Sequence, residues 1–280
     1  MEALNLREND FVIDGTVDGG GHMRAILPKL GNKGVFLGID WDEELAEKCS
    51  ALVKELKPAA KTMIVNDNFR NLPEILRERN LPKADCLLLD LGFSTEQLIG
   101  ANRGFGFLEN SLLVMTYNRR QKPLGELLKK VKMTELAAVL KNFGEERYAT
   151  RIAEAIKKAN PKTARELAEV VVAAVPPAYR HGRLHPATRT FMALRIWANR
   201  ELENIGAVLA LLPEVVGPGG RVVVISFHSL EDRLVKNSFR NLSQKKKVEL
   251  IFKKPIQASL AEKRSNPASR SAKLRAIKFL

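Results

Sequence analysis

Two carboxylates and a run of glycines follow strand-like segments of this sequence. Asp40 closes the apolar segment VFLGID, Asp90 closes DCLLLD, and Gly20 and Gly21 belong to the segment DGTVDGGGH. Glycine lets the backbone approach a ligand closely. A carboxylate that stands 20 residues beyond such a turn, as Asp40 does, can accept hydrogen bonds from a ribose. The spacing therefore indicates a site for a cofactor that contains adenosine.

The glycines of this segment lack a GxGxxG register, so a nicotinamide dinucleotide is a less suitable ligand than another adenosine cofactor. Phe69 follows the third strand-like segment and is placed to flank an adenine ring. Asp90 is placed to face the reactive end of the cofactor. Each residue also has a structural interpretation, a helix cap for an aspartate and a core position for the phenylalanine. Their positions after successive strands favour the site.

Short apolar runs in the first third of the chain alternate with helical patterns. Such continuous runs are typical of parallel strands that are buried on both faces. The runs are FVID (11–14), VFLGID (35–40), TMIV (62–65) and DCLLLD (85–90). They predict an α/β fold with a Rossmann-like, mostly parallel sheet that is covered by helices.

The pattern changes to helical periodicity alone between residues 124 and 212. In the segment 191–212, apolar residues recur every three or four positions, and we expect this segment to form one long helix. This part of the chain is therefore predicted to be an inserted helical domain.

Strand-like runs return after the helical block, at residues 220–227 and 247–252, and residues 273–279 are expected to form an edge strand. The sheet would then be assembled from both ends of the chain. The sequence predicts an α/β domain formed by residues 1–102 and 200–280, and an all-helical insertion, with a role in RNA recognition, formed by residues 103–199.

Composition excludes several classes of protein. Of the 280 residues, 45% are hydrophobic, which excludes a disordered chain. Cys49 and Cys86 are too few for a disulfide framework or a cysteine zinc site. No metal is expected at His181 and His185 either, because Pro186 follows at once and no third ligand is near. The N-terminal segment lacks the apolar core of a signal peptide, and no run reaches the ~18 apolar residues of a membrane span. We expect a cytoplasmic protein without a membrane partner.

The net charge of +14 is concentrated near the end of the chain, where residues 241–280 hold eight Lys and three Arg against two Glu. A solvated basic tail is one interpretation, and a surface that binds the phosphates of RNA is the other. Thr188 and Asn199 share a helix face with one of the arginines and could present polar groups to RNA. The candidate phosphate ligands are Arg147, Arg189, Arg195, Lys245, Lys246, Arg270 and Arg275.

Several longer segments carry a resemblance to a known family. They are DGTVDGGGH, GIDWD, NDNF, LLLDLGFSTEQL, RGFGF, FGEERYATRIAEAI, HPATRTFMALRIWANREL, GPGGRVVVISFHSLEDRLVK and NPASRSAKLRA. Together, and in this order, they closely resemble the family of ribosomal RNA small subunit methyltransferase H. Members of that family use S-adenosylmethionine to methylate N4 of a cytidine in the decoding region of bacterial 16S rRNA.

The resemblance implies a class I methyltransferase fold, S-adenosylmethionine as the cofactor, and 16S rRNA or the small ribosomal subunit as the partner. It leaves the oligomeric state open, a homodimer included. In this family the cofactor contacts fall on the glycine loop, on the ribose-binding carboxylate, beside the adenine and near the methionine end. The matching residues here are Gly20, Gly21, His22, Asp40, Phe69, Asp90 and Gln97.

The chain departs from the family pattern in one internal segment. After Gly106 and Phe107 the family has Pro-Leu-Asp-Met-Arg-Met-Asp, whereas residues 111–118 read SLLVMTYN. With the methionine in register, Val114, Thr116 and Asn118 replace two carboxylates and an arginine. If those charges position the target base, this protein holds the base differently or prefers another substrate. We expect the same target rather than a lost activity, because the cofactor residues are all present.

The N4 lone pair of cytosine is delocalised into the ring, so an acceptor for an N4 hydrogen would assist the transfer. We expect Asp90, or backbone carbonyls of the following loop as far as Ser94, to supply it. His228 in SFHSLEDR is placed either to approach the substrate or to cap the helix that follows it.

Two other functions remain open at the level of the sequence. One is an RNA-binding ribosome-assembly factor that has kept a vestigial cofactor pocket, an alternative that the altered segment supports. The other is a dehydrogenase on the same sheet, which would need a dinucleotide loop and a residue that handles hydride. Neither feature is visible in the sequence.

Overall fold

The computed structural model describes residues 1–92, 102–108, 110–180, 182 and 184–280. The chain forms two compact units. One consists of Met1–Gly92 and Leu202–Leu280, and the other of Phe93–Glu201. The observed boundaries between the units therefore follow Gly92 and Glu201, whereas the sequence predicted boundaries after residues 102 and 199.

The first unit is built on a sheet of eight strands. They are β1 (Phe11–Asp14), β2 (Val35–Asp40), β3 (Lys61–Asn66), β4 (Ala84–Asp90), β5 (Val216–Ser226), β6 (Val248–Leu250), β7 (Ile256–Gln257) and β8 (Lys273–Phe279). The strand order is β3-β2-β1-β4-β5-β8-β6, and β7 pairs with β8 beside this path. Strands β1 to β5 pair in parallel, and β8 runs antiparallel to its neighbours. This is a mostly parallel α/β sheet, as predicted.

Both faces of the central sheet are buried, because alternate residues of one strand enter different apolar clusters. In β1, Val12 belongs to one cluster and Ile13 to the other. Phe36 and Leu37 divide in the same way in the neighbouring strand. The continuous apolar runs of the sequence therefore reflect a sheet with helices on both sides.

The helices of the first unit connect these strands. They are α1 (Gly21–Ile26), α2 (Glu43–Leu56), α3 (Leu72–Glu78), α10 (Glu201–Val215, which begins at the last residue of the second unit), α11 (Ser229–Gln244) and α12 (Leu260–Ser265). Short 3-10 helices cover Leu27–Lys29, Phe69–Asn71 and Pro267–Ser271. Asp42 begins α2, since its side chain accepts a hydrogen bond from the backbone N of Glu44. No helix among the described residues is long and apolar enough to cross a membrane.

Strand β8 is not the edge strand that the sequence predicted. It lies between β5 and β6, and Ile277 in its centre is fully buried. The prediction was wrong because the strand alternates apolar residues with Lys and Arg, a pattern common at sheet edges. Here Arg275 and Lys273 instead form ion pairs with Asp232 of α11.

The second unit is helical. Its described helices are α4 (Leu124–Lys130), α5 (Met133–Gly144), α6 (Ala149–Ala159), α7 (Ala164–Ala174), α8 (Pro177–Arg180) and α9 (Thr188–Asn199). Their apolar faces form one buried cluster, with Leu136, Ile152, Leu167 and Leu194 fully enclosed.

The long helix expected over residues 191–212 is two helices. Helix α9 ends at Asn199, Arg200 has φ 52° in the left-handed region, and α10 begins at Glu201. Apolar periodicity continues across the break, so the sequence pattern did not reveal it. An arginine in this conformation carries backbone strain that a glycine would avoid.

Candidate cofactor-binding and active site

The glycine loop joins β1 to α1. Gly20 precedes α1 with φ 82°, in the left-handed region that glycine adopts without strain. A Cβ at Gly15 would stand 2.5 Å from Leu89 Cδ2, so this position is closed by packing. A Cβ at Gly21 would meet no atom within 4 Å among the described residues. The loop is therefore packed at its start and open where helix α1 begins.

Asp40, at the end of β2, is tied to this loop. Its Oδ2 accepts a hydrogen bond from the backbone N of Asp18 at 2.9 Å, and its Oδ1 accepts one from the backbone N of Asp42 at 2.8 Å. Only 7% of the residue is exposed. Burial raises the pKa of this carboxyl to about 7, against the lowering effect of the two donated bonds. The carboxylate is held rigidly beside the loop.

Asp14, His22 and Asp90 form a cluster at the ends of β1 and β4. His22 Nε2 lies 3.0 Å from Asp90 Oδ2. This bond raises the pKa of the imidazole above its ordinary value. Asp14 is fully buried, and burial raises the pKa of its carboxyl to about 6. The cluster brings together a histidine that the sequence assigned to the cofactor loop and the carboxylate that it assigned to the reactive end.

Two carboxylate oxygens of this cluster are buried and unpaired. Asp14 Oδ2 and Asp90 Oδ1 have no hydrogen-bond partner among the described residues. A buried acceptor without a partner costs free energy, on the order of 1–3 kcal/mol. Such a pair of oxygens is typical of a site that a ligand or substrate completes.

Phe69 begins the 3-10 helix after β3 and lies beside the glycine loop. A Cβ at Gly15 would stand 3.3 Å from Phe69 Cβ. The ring is half-buried and packs on the apolar cluster that contains Leu72. The expected position beside an adenine is compatible with this placement. Ser94 and Gln97, the remaining predictions for the site, lie outside the described residues.

His228 caps helix α11. Its Nδ1 accepts a hydrogen bond from the backbone N of Glu231 at 3.4 Å, and Glu231 Oε2 accepts one from the backbone N of His228 at 3.3 Å. These two bonds form a capping box. Of the two interpretations that the sequence allowed, the helix cap is the one that the contacts support. A catalytic role for His228 stays a prediction.

Four of the candidate RNA ligands are accessible and charged. Arg147, Lys245, Lys246 and Arg270 are exposed. Arg189 is half-buried, and its guanidinium donates to the backbone oxygen of Glu145 at 2.9 Å.

Arg195 and Arg275 do not fit the prediction that their guanidinium groups are available to bind the phosphates of RNA. Arg195 is only 8% exposed and donates two hydrogen bonds to Glu201, at 2.9 and 3.1 Å. Arg275 donates two to Asp232, at 2.7 and 3.3 Å. Both guanidinium groups are occupied by carboxylates, which a sequence does not show because the partners are brought together by the fold.

Asn199, expected on the RNA-facing side of a helix, is instead fully buried and fixes the altered segment 111–118. Its side-chain oxygen accepts a hydrogen bond from the backbone N of Tyr117 at 2.8 Å, and its amide donates to the backbone oxygen of Met115 at 2.9 Å. Thr116 is buried as well, and its hydroxyl has no hydrogen-bond partner among the described residues. The backbone of the segment is thus held from α9 without the charges that the family has there.

Two residues of the site were missed by the sequence analysis. Asp14 ends β1, and its signal in the sequence is an aspartate that closes an apolar run, as Asp40 and Asp90 do. Thr16 accepts a hydrogen bond from the backbone N of Asp90 at 2.7 Å. No spacing could reveal this bond, because the two residues are 74 positions apart.

Comparison with known proteins extends over the whole chain. The family model described as the MraW methylase family matches residues 1–280. A protein of Halothermothrix orenii named ribosomal RNA small subunit methyltransferase H is 36% identical, with 98% of this chain and 94% of that protein covered. A protein of Persephonella marina with the same name is 39% identical, with 96% and 92% covered.

Among solved structures, an rRNA methylase from Streptococcus thermophilus is similar to this chain with a TM-score of 0.47 and 11% identity, with 99% of this chain and 91% of that chain covered. The full-length match to the family model and the identities above 30% decide the relationship. The chain belongs to the MraW methylase family and is a methyltransferase whose cofactor is S-adenosylmethionine.

Proposed function

We propose that this protein transfers a methyl group from S-adenosylmethionine to N4 of a cytidine in the decoding region of bacterial 16S rRNA, in the cytoplasm. The proposal is supported by the name that its relatives carry, ribosomal RNA small subunit methyltransferase H, and by the family resemblance of its motifs. The observation that carries it is Asp90 Oδ1, a buried acceptor without a partner among the described residues, at the end of β4.

The residues of the site fit S-adenosylmethionine. The open space at Gly21 leaves room for a ligand against the backbone, and Asp40 offers a buried carboxylate to the hydroxyls of a ribose. Asp14 and Asp90 place two carboxyl groups near the same end of the sheet, where a sulfonium cation would be stabilised. When bound, the cofactor supplies a methyl group on a sulfur that is already a good leaving group.

Asp90 is the residue that we assign to the substrate amine. Its Oδ1 accepts a hydrogen bond from N4 and takes up the proton that N4 releases when it gains the methyl group. His22 holds Oδ2 of the same carboxylate at 3.0 Å and so orients the free oxygen. Orientation of the reacting groups is the main task of such a site, because the methyl donor needs no further activation.

RNA is bound through exposed cations in this proposal. Lys245, Lys246 and Arg270 belong to the part of the chain that carries most of the excess positive charge, and Arg147 contributes from the helical unit. A cytidine must leave its base stack to bring N4 to the cofactor, so the target is an unpaired or extruded base of a folded RNA.

The test is transfer of tritiated methyl groups from S-adenosylmethionine to small ribosomal subunits from cells that lack the modification, followed by nucleoside analysis. We expect the label in N4-methylcytidine. Label in another nucleoside would refute the target atom, and naked 16S rRNA in a parallel reaction identifies the form of substrate that is accepted.

A second candidate is an RNA-binding ribosome-assembly factor, and the uncharged segment 111–118 favours it. In that case the protein would bind S-adenosylmethionine and ribosomal subunits but leave the RNA unlabelled. The same transfer reaction therefore separates the two functions.

A further inference from the structure

The parallel pairing of β1 with β4 ends at Asp14. Beyond this point the side chain of Thr16 accepts a hydrogen bond from the backbone of β4. Asp14 stands opposite Leu88, and the backbone N of Gly15 donates to the backbone oxygen of Leu88 at 2.9 Å. The next donor along β4 on this side is the backbone N of Asp90. In a regular parallel ladder it would donate to a backbone carbonyl of β1. Here it donates to the hydroxyl oxygen of Thr16, at 2.7 Å.

The other side of β4 is fixed in the ordinary way. Asp90 stands opposite Ile225 of β5, and the backbone N of Leu91 donates to the backbone oxygen of Ile225 at 2.8 Å. The main chain at Asp90 is therefore held between two neighbours, by a backbone carbonyl on one side and by a single hydroxyl on the other.

Thr16 also contacts Asp14. Its backbone N donates to Asp14 Oδ1 at 3.1 Å. Its hydroxyl accepts the bond from Asp90, which leaves the hydroxyl proton free to be donated. A hydrogen bond from the Thr16 side chain is among the interactions that lower the pKa of Asp14, against the raising effect of its burial. One threonine thus connects the buried carboxyl of β1 with the carboxylate at the end of β4.

We infer that Thr16 is a positioning residue for the methyl transfer: its hydroxyl replaces a missing backbone acceptor and fixes the main chain of Asp90, and thereby the free oxygen of that carboxylate. The part that concerns transfer rests on the proposed role of Asp90. The part that concerns the Asp90 main chain stands on the contacts alone.

Three variants test the inference. Thr16→Val removes the hydroxyl and keeps the volume and the branching at Cβ, whereas Thr16→Ser keeps the hydroxyl. Thr62→Val is the matched control, because the Thr62 hydroxyl donates to the backbone oxygen of Ala60 in the same sheet, away from the site.

The direct readout is hydrogen exchange of the Asp90 amide, followed by NMR on the full chain without substrate. In Thr16→Val we expect this amide to exchange about fivefold faster or more, as the loss of one hydrogen bond implies. Thr16→Ser and Thr62→Val should keep the wild-type rate. Unchanged protection of the Asp90 amide in Thr16→Val would overturn the inference.

The second readout is methyl transfer to small ribosomal subunits. We expect Thr16→Val to lower kcat about 10- to 100-fold with a smaller change in KM, and Thr16→Ser to recover most of the rate. Equal losses of kcat in Thr16→Val and Thr16→Ser would point to a packing role for Thr16 and overturn the positioning role. A wild-type protein that does not label cytidine N4 would refute the proposed function, while the exchange of the Asp90 amide would still decide whether Thr16 holds it.

Discussion

The carboxyl groups of Asp14, Asp40 and Asp90 lie at the ends of three neighbouring strands. Burial raises the pKa of Asp14 to about 6 and that of Asp40 to about 7, so in the free protein the Asp40 carboxyl is close to half protonated at neutral pH and the Asp14 carboxyl gains its proton nearer pH 6. A sulfonium cation favours the ionised carboxylates, and its neutral thioether product does not. If these carboxylates face the cofactor as proposed, we expect the site to distinguish S-adenosylmethionine from its product by charge.

Cofactor binding is expected to depend on pH through Asp40. An ionised carboxylate accepts stronger hydrogen bonds from ribose hydroxyls than a protonated carboxyl does, and the free protein is protonated there below pH about 7. The affinity for S-adenosylmethionine should fall as the pH drops below that value, by up to about tenfold per pH unit. Calorimetric titrations at several pH values from roughly 5.5 to 8.5 measure this affinity.

Two variants control this prediction. Asp40→Asn should bind weakly and lose most of the pH dependence. Asp42→Asn keeps the backbone N that donates to Asp40 but removes a charge that raises the pKa of Asp40, so the fall in affinity should move to lower pH. A wild-type affinity that stays constant down to roughly pH 5.5, about 1.5 units below the folded pKa of about 7, would contradict the role of Asp40.

Asp90→Asn tests the acceptor. The amide keeps the shape of the side chain but cannot take up the proton from N4, so we expect kcat to fall by about 10²- to 10⁴-fold. Asp85→Asn, in the same strand, is the control and should transfer methyl groups at the wild-type rate. If Asp90→Asn binds S-adenosylmethionine normally and transfers at the wild-type rate, the carboxylate has no catalytic role.

Among the elements, the strands and the carboxylates that end them were predictable, because each has a local signal in the sequence. Continuous apolar runs mark β1 to β5, and polar residues end them. The interior position of β8 and the break at Arg200 were not predictable. The interior position of β8 depends on ion pairs between its cations and Asp232, which is distant in the sequence. The break at Arg200 depends on the backbone conformation of one residue inside an unbroken apolar pattern.

Helix α2 offers a test of backbone strain. It ends at Leu56, and the exposed residue that follows, Lys57, has φ 45°. Glycine adopts this conformation without the contact between Cβ and the carbonyl oxygen, so Lys57→Gly should raise the free energy of unfolding by about 0.5–1 kcal/mol. Lys54→Gly, inside the same helix, should lower it by about 1 kcal/mol. Urea denaturation of both variants checks the opposite signs, and a loss of stability in Lys57→Gly would contradict the argument.

The net charge of +14 belongs to the protein as a whole, and it bears on the binding of RNA rather than on the fold. The sequence located the basic region correctly, but it could not separate cations that are free from cations that are paired. Arg275 and Arg195 are held by carboxylates, whereas Lys245 and Lys246 are exposed. The exposed lysines are therefore the better candidates for contacts with phosphate.

RNA binding should weaken with salt. Replacing Lys245 and Lys246 by glutamine should lower the slope of log K against log salt concentration by about 0.7–0.9 for each phosphate contact that is lost. A double substitution of the exposed Lys29 and Lys33 by glutamine removes the same charge elsewhere and should leave the slope closer to that of the wild type. Filter binding of 16S rRNA at several salt concentrations measures the slopes, and equal slopes in both double variants would contradict a specific role for Lys245 and Lys246.

The division of the sheet between two distant parts of the chain also bears on how the protein is made. Translation releases β1 to β4 first, but β5, the partner of β4, emerges only after the entire helical unit. Until then β4 has an open edge that another nascent chain could pair with. The helices, whose contacts are local, can fold in the meantime. Synthesis that stalls before Val216 would leave an aggregation-prone half-sheet, so the speed of translation across the insertion affects the yield of folded enzyme.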